Sequence, residues 1–176
     1  MRDWDQWSRR CRCSTSTHPY GVGDRGHGNE IDMKKWQRVV VGVDGSEGSR
    51  LALEAAVEQA REHDATLAVV TTWSQPVTAG APGYASYDWI SEADMSAAAK
   101  QQQADLLAAV LGADPSLRVE QEVVEGHPAQ QLVVASEGAD LVVVGSRGHG
   151  GFVGMLLGSV SQHVSAHAAC PVLVVR

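Results

Sequence analysis

Short apolar runs alternate with longer amphipathic stretches along most of this chain. Five runs rich in Val and Leu predict β-strands. They cover residues 39–43, 67–73, 117–124, 141–144 and 171–175. Between them, apolar residues recur at helical spacing, most clearly in the stripe formed by Leu53, Ala56, Val57 and Ala60. Strict alternation of strands and helices predicts an α/β fold, with a parallel sheet, right-handed crossovers and helices on both faces.

The residues at the predicted helix starts suit those positions. Ser46 fits the N-cap of the first helix. Pro128 fits the first turn of the third helix, where no backbone N–H is needed. The last helix is predicted over about 158–168, with Ser159 as its cap. Its buried residues are expected to be Val160 and Val164.

Burial is predicted for two further elements. The second helix, which ends near residue 111, is expected to bury one face. That face consists of Ala104, Leu107, Ala108 and Leu111. The third strand carries charged residues at alternate positions, which favours a place near the edge of the sheet. These residues are Arg118, Glu120 and Glu122.

The first 32 residues differ from the rest of the chain. They show no sustained strand or helix period, and four glycines fall within residues 21–28. We therefore predict a disordered N-terminal extension over 1–32 and one folded domain over 33–176. Met33 fits a translational start, and an arm with a binding partner of its own is the alternative.

Charge and hydropathy narrow the range of partners and the location. The chain has 14 basic and 21 acidic residues, a net charge of −7, and the whole acidic excess lies in 33–176. This balance argues against nucleic acid or an anionic membrane surface as a partner. No apolar run approaches the roughly 20 residues that a membrane span needs. The start of the chain lacks the basic-then-apolar order of a signal peptide, so a cytoplasmic protein is expected.

The segment after the fourth strand carries the strongest functional signal. Gly145 and Gly148 are followed, after nine residues, by Gly158 and Ser159. A strand end and a helix start without side chains leave backbone N–H groups open to a ligand. The helix N-terminus also attracts anions, so a phosphate chain is the expected ligand. Gly148 permits a positive φ and a close backbone contact. Each glycine alone is typical of an ordinary turn, and the argument depends on the combination.

Other residues are predicted at the same edge of the sheet. Asp44 and Thr72 follow the first two strands, and ligands of doubly wound sheets bind beyond the carboxyl ends of the strands. The carboxylate of Asp44 suits a nucleoside amine or hydroxyl, or Mg²⁺ through water. It equally suits an Asx-type turn over Gly45 and Ser46.

Together, these motifs make the sequence resemble the universal stress protein family. The Gly-x2-Gly-x9-Gly-Ser spacing is similar to the ATP-binding signature of that family. Three further segments match, namely Val41–Ser46, Val124–Ala129 and Cys170–Val175. The resemblance runs from about Lys35 to Arg176 and does not include residues 1–32.

The resemblance implies an adenine-nucleotide α-hydrolase-like, Rossmann-like sheet in the order 3-2-1-4-5, usually in a homodimer. It also implies an ATP site in which the adenosine contacts Gly42, Val43 and Asp44, and Thr72 lines the adenine pocket. The ribose and phosphates would contact Gly145, Arg147, Gly148, Gly158, Ser159 and Val160. Thr72 departs from the family, in which this position is often apolar. The short apolar strand at Pro171–Arg176 has no helix after it to cover its edge, which independently favours a dimer through that strand.

No catalytic residue is predicted. The chain lacks the P-loop pattern, and no acid–base pair converges on a reaction centre. Cys11, Cys13 and His18 lack a fourth ligand, so no metal site is predicted. The interpretation is an ATP-binding regulatory protein of the stress response. The alternatives are a slow ATPase, with Asp44 on Mg²⁺ and Arg147 near the γ-phosphate, and a nucleotide-free interaction module that uses the aromatic segment at 74–91.

Overall fold

The computed structural model describes residues 35–75, 91–112, 116–150 and 156–176. The predictions for residues 1–32 and for nearly all of the segment at 74–91 therefore lie outside the described residues. Within these ranges, five strands alternate with four helices. In chain order they are β1 Arg38–Gly42, α1 Glu47–His63, β2 Thr66–Trp73, α2 Glu92–Leu111, β3 Val119–Glu125, α3 Pro128–Ser136, β4 Leu141–Gly145, α4 Ser159–His167 and β5 Val172–Val175.

The five strands form one parallel sheet in the order β3-β2-β1-β4-β5. The predicted fold class and strand order are both confirmed, as is the edge position of β3. Val40 of β1 is in register with Ala68 of β2 and Val142 of β4. The winding reverses between β1 and β4, which places the expected ligand crevice at the carboxyl ends of these two strands.

Alternate residues of the central strands face two separate cores. Val39 and Val41 point to the face that α1 and α2 cover, whereas Val40 points to the face that α3 and α4 cover. All three valines are fully buried. Helices therefore cover both faces, and this explains why β1 and β4 are apolar at consecutive positions.

Helix α1 has the structure that its sequence predicts. The four residues of the apolar stripe are buried. Ser46 is the N-cap, and its Oγ accepts a hydrogen bond from the N–H of Ser49 at 3.2 Å. Helix α3 begins at Pro128, also as predicted.

The predicted buried face of α2 is wrong in part, although Leu107 is buried and Leu111 packs against the core as expected. The buried residues are Ala99, Gln103 and Leu107, whereas Ala104 and Ala108 are exposed. The reason is the polar side chain of Gln103, which is only 2% exposed. Its Nε2 donates toward three oxygens in the sheet. These are Val69 O at 2.9 Å, Thr71 Oγ1 at 3.0 Å and Glu122 O at 3.2 Å.

The predicted cap of α4 is also wrong. Gly158 occupies the N-cap position, Ser159 is the first helical residue, and no side chain caps the helix. Ser161 acts within this turn instead, since its hydroxyl lies 2.9 Å from the carbonyl of Gly158 and 3.1 Å from that of Ser146. Val164 is buried as predicted, but Val160 is only partly buried because it borders a cavity.

Candidate functional site

A cavity of about 540 Å³ opens at the carboxyl edge of the sheet. The ends of β1, β2 and β4 contribute to it, together with the starts of α1, α3 and α4. Every residue that the sequence predicted for the site lines this cavity. These residues are Gly42, Val43, Asp44, Thr72, Gly145, Arg147, Gly148, Gly158, Ser159 and Val160.

The cavity also has apolar lining that the sequence reasoning missed. This lining includes Val70, Pro128, Leu132 and Val144. Val70 and Val144 precede the ends of their strands, and Leu132 lies one turn into α3. Their apolar character is equally typical of core residues. Only the strand order, which places β2, β1 and β4 side by side, shows that such residues line the cavity.

The start of α4 gives the cavity an electropositive wall. The backbone N–H groups in the first turn of a helix have no acceptor within the helix, and the helix dipole places partial positive charge there. Ser159, Val160 and Ser161 form this first turn and line the cavity. This turn therefore has the electrostatic character that suits an anion, in a chain that is acidic as a whole.

Asp44 forms the turn that the sequence left open as an alternative. Its Oδ1 accepts from the N–H of Ser46 at 3.0 Å and from the Ser46 hydroxyl at 2.6 Å. Its Oδ2 accepts from the N–H of His149 at 3.2 Å. The carboxylate thus joins the loop after β1 to the loop after β4. About half of this side chain stays exposed, so it can still meet a ligand.

These bonds set the ionisation of Asp44. Burial alone would raise the pKa of this carboxyl group. The bonds from Ser46, the side chain of Ser49 and the N–H of His149 oppose burial and together hold the pKa below its ordinary value of 3.8. The cavity therefore contains one fixed carboxylate at neutral pH.

The glycines of the predicted loop are required for different reasons. Gly148 lies outside the left-handed region, so the structure does not use the positive φ that glycine permits there. It is glycine because an added Cβ would overlap Oδ2 of Asp44. At Gly145, an added Cβ would lie 2.6 Å from the carbonyl oxygen of Gly48, at the start of α1.

Gly158 differs from both of these glycines. Its φ is −75°, which any residue adopts. The nearest described atom to an added Cβ would be the carbonyl oxygen of Ser146, at an ordinary 3.5 Å. Neither backbone conformation nor packing among the described residues demands glycine here.

Three other predicted residues differ in how far the fold leaves them open to a ligand. The N–H of Val43 donates to the carbonyl of Val70 at 3.0 Å, so it is not available to a ligand. Arg147 is exposed at the mouth of the cavity. Thr72 is half-buried, and its neighbour Ser74 also lines the cavity.

The described residues contain neither a cluster of metal-ligating side chains nor a membrane-spanning helix. No group of three or more His, Cys, Asp and Glu side chains there is placed to hold a metal ion. No helix in the same part of the chain is long and apolar enough to cross a membrane.

A doubly wound parallel sheet with a glycine-lined cavity at its carboxyl edge is typical of ligand-binding α/β domains. The sequence model of the Universal stress protein family matches residues 35–176, and the chain belongs to that family.

Two curated relatives have the same family name. A universal stress protein of Mycobacterium tuberculosis is 42% identical over 138 residues, which make up 78% of this chain and 44% of that protein. One from Mycolicibacterium smegmatis is 36% identical over 138 residues, or 78% of this chain and 45% of the relative. The chain therefore spans less than half the length of these two relatives.

Solved structures agree with the fold. Universal stress protein UspA of Lactobacillus plantarum superposes with a TM-score of 0.64 at 21% identity, over 81% of this chain and 99% of that one. A universal stress protein solved in complex with cAMP gives a TM-score of 0.56 at 30% identity, over 81% of this chain and 98% of that one.

Proposed function

We propose that this chain binds an adenine nucleotide, ATP in the first place, in the cavity at the carboxyl edge of the sheet. One observation carries the proposal. Ten residues chosen from separate segments of the sequence line a single cavity of about 540 Å³, and the first turn of α4 opens into it. The volume lies within the usual range for small-molecule sites. The relative that was solved with cAMP supports the same class of ligand.

The residues fit a nucleotide whose phosphates lie toward α4. Phosphate oxygens would accept from the N–H groups of Ser159 and Val160, in the space beside Gly158. Gly145 and Gly148 would lie close to the phosphates, and Arg147 would add positive charge. The adenosine would lie against Gly42, the carbonyl of Val43 and the carboxylate of Asp44, with Thr72 beside the base. The alternative role of Asp44, which is ionised and half-exposed, is to hold a nucleotide-bound Mg²⁺ through water.

The proposed role is regulatory and cytoplasmic. Bound nucleotide would change dimer or partner contacts through the loop at 146–157 and so act in the stress response. We also propose a homodimer through the last strand, Pro171–Arg176. The carboxylate in the cavity supports one second candidate, a slow ATPase in which Asp44 holds Mg²⁺ and Arg147 lies near the γ-phosphate.

The first test is to denature the purified chain and identify any released nucleotide by chromatography and mass. ATP near one equivalent supports binding with slow or no turnover. ADP alone favours the ATPase, and phosphate release over many hours then measures its rate. If nothing is released, ATP and cAMP are each added, and a rise in melting temperature with either one supports the site. If neither nucleotide gives a rise, the proposal is wrong and the interaction module takes its place.

A variant at Gly158 tests the location of the site. Gly158→Val keeps an allowed backbone conformation and fills space beside the first turn of α4. We expect it to weaken ATP binding by about tenfold or more, equivalent to about 1.4 kcal/mol. The matched control is Gly138→Val, since Gly138 is exposed, lies away from the cavity and has no atom within 4 Å of an added Cβ. Equal ATP affinity in the two variants would place the site elsewhere.

A further inference from the structure

Two histidines lie one turn apart on the exposed side of α4. His163 and His167 are both exposed, and their rings stack with centroids 4.2 Å apart and an interplanar angle of 23°. Residues four apart on a helix share a face, so the pair is held together by the backbone of α4. Neither side chain lines the cavity at the carboxyl edge.

One hydrogen bond fixes the tautomer of His167. Its Nδ1 lies 2.8 Å from the carbonyl oxygen of His163. A carbonyl oxygen only accepts hydrogen bonds, so Nδ1 carries the proton and donates it. In the neutral ring, Nε2 then keeps a lone pair that faces away from the helix backbone. Metal-binding histidines typically have this arrangement, in which the second ring nitrogen donates to a backbone carbonyl.

We propose that His163 and His167 form a two-ligand site for a divalent late-transition cation such as Zn²⁺, Ni²⁺ or Cu²⁺. Imidazole nitrogen suits these cations, whereas Mg²⁺ and Ca²⁺ prefer oxygen ligands. The same i, i+4 histidine pair supplies two zinc ligands on the helix of the His-Glu-x-x-His motif. Because the rings stack in the structure, coordination of one cation by both Nε2 atoms requires rotation about the side-chain torsions.

The site is open and not a closed structural centre. The described residues supply no third His, Cys, Asp or Glu at this position, so water completes the coordination. The cation would bridge one turn of α4 and thereby stabilise that helix, because a ligand that binds only the folded state raises its stability.

The test uses Ni²⁺ and the full untagged chain. Cys11 and Cys13 are first replaced by serine, because thiolates also bind such cations and would add a second site. Calorimetric titration is expected to show one saturable Ni²⁺ per chain, with a rise in melting temperature. His167→Ala in this background is expected to weaken Ni²⁺ binding by about tenfold or more.

A matched control keeps the number of histidines constant. The double variant Ser165→His with His167→Ala moves the second imidazole to i+2, on the other side of the helix, where the two side chains do not face each other. Ser165 is exposed, so the change costs little stability. The proposal predicts that this variant binds Ni²⁺ as weakly as His167→Ala does. Binding equal to that of the parent, or no saturable binding by the parent, overturns it. Neither result affects the nucleotide proposal, which has its own readout.

Discussion

Among single residues, Asp44 connects two loops that lie far apart in the sequence. Its carboxylate accepts two bonds from Ser46 and one from the N–H of His149. In Asp44→Asn, the amide oxygen can keep the bonds from Ser46, but the amide NH₂ then faces the N–H of His149. Both of these groups are donors, so no hydrogen bond forms between them. We expect a loss of about 1 kcal/mol at pH 7, because a charged acceptor is lost but solvent screens a half-exposed group. Chemical denaturation measures the change.

The pH dependence of that loss follows from the lowered pKa of Asp44. A carboxyl group whose folded-state pKa lies below its unfolded value stabilises the fold fully above the unfolded value, here about 3.8. The contribution disappears as the pH falls through the folded-state pKa. The stability difference between the parent chain and Asp44→Asn should therefore be constant from pH 7 to 5 and shrink below pH 3.8.

Another exposed carboxylate provides the control for both measurements. Asp105 on α2 is exposed and accepts one bond from Gln101. Asp105→Asn is expected to change stability by less than about 0.5 kcal/mol at any of these pH values. If Asp44→Asn behaves like Asp105→Asn, the bonds to Asp44 do not stabilise the folded chain.

At the scale of elements, Gln103 fixes how α2 lies on the sheet. Its buried Nε2 reaches two strands, with acceptors on β2 and β3. Gln103→Leu keeps a similar volume but leaves these acceptors without their donor, which is expected to destabilise the fold by about 1–3 kcal/mol. Gln101→Leu is the control on the same helix, because Gln101 is exposed. Equal stability of the two variants would mean that the bonds of Gln103 are not needed to hold α2.

The same helix shows what the sequence can and cannot predict. The strands, α1 and the fold class depend on apolar periods and caps among residues close in sequence, and these were predicted. The face of α2 depends on acceptors 34, 32 and 19 residues from Gln103. Local periodicity contains no information about such contacts, so Ala104 and Ala108 were placed in the core by mistake.

The residues of the candidate site also divide into those that the sequence predicts and those that it does not. Its glycines, Asp44 and Thr72 were predictable because they stand at strand ends and helix starts, which the apolar pattern locates. The reason for Gly148 was not predictable, since it depends on the carboxylate of Asp44 in a different loop. The apolar lining was hidden because Val70 and Leu132 have the same character as core residues.

At the scale of the whole molecule, β5 forms one edge of the sheet that the structure describes. The carbonyls of Pro171 and Val175 accept from the N–H groups of Val142 and Ser146, at 3.0 and 2.6 Å. Alternate residues of a strand direct their backbone groups to opposite sides, so those of Val172 point away from β4. Such an edge is a template for pairing with another chain.

The dimer proposal makes this edge the contact between two copies. In a two-fold arrangement each strand meets its own copy, so one substitution acts twice across the axis. Leu173 lies on β5 with 38% of its surface exposed. Leu173→Lys would place two like charges near the axis, and we expect it to shift the chain from dimer to monomer in analytical ultracentrifugation.

Val134→Lys is the control, because Val134 is a 62% exposed apolar residue on α3, away from the edge strand. The control should sediment as the parent does. A monomeric parent, or a Leu173→Lys variant that remains dimeric, would remove the last strand from the contact between copies.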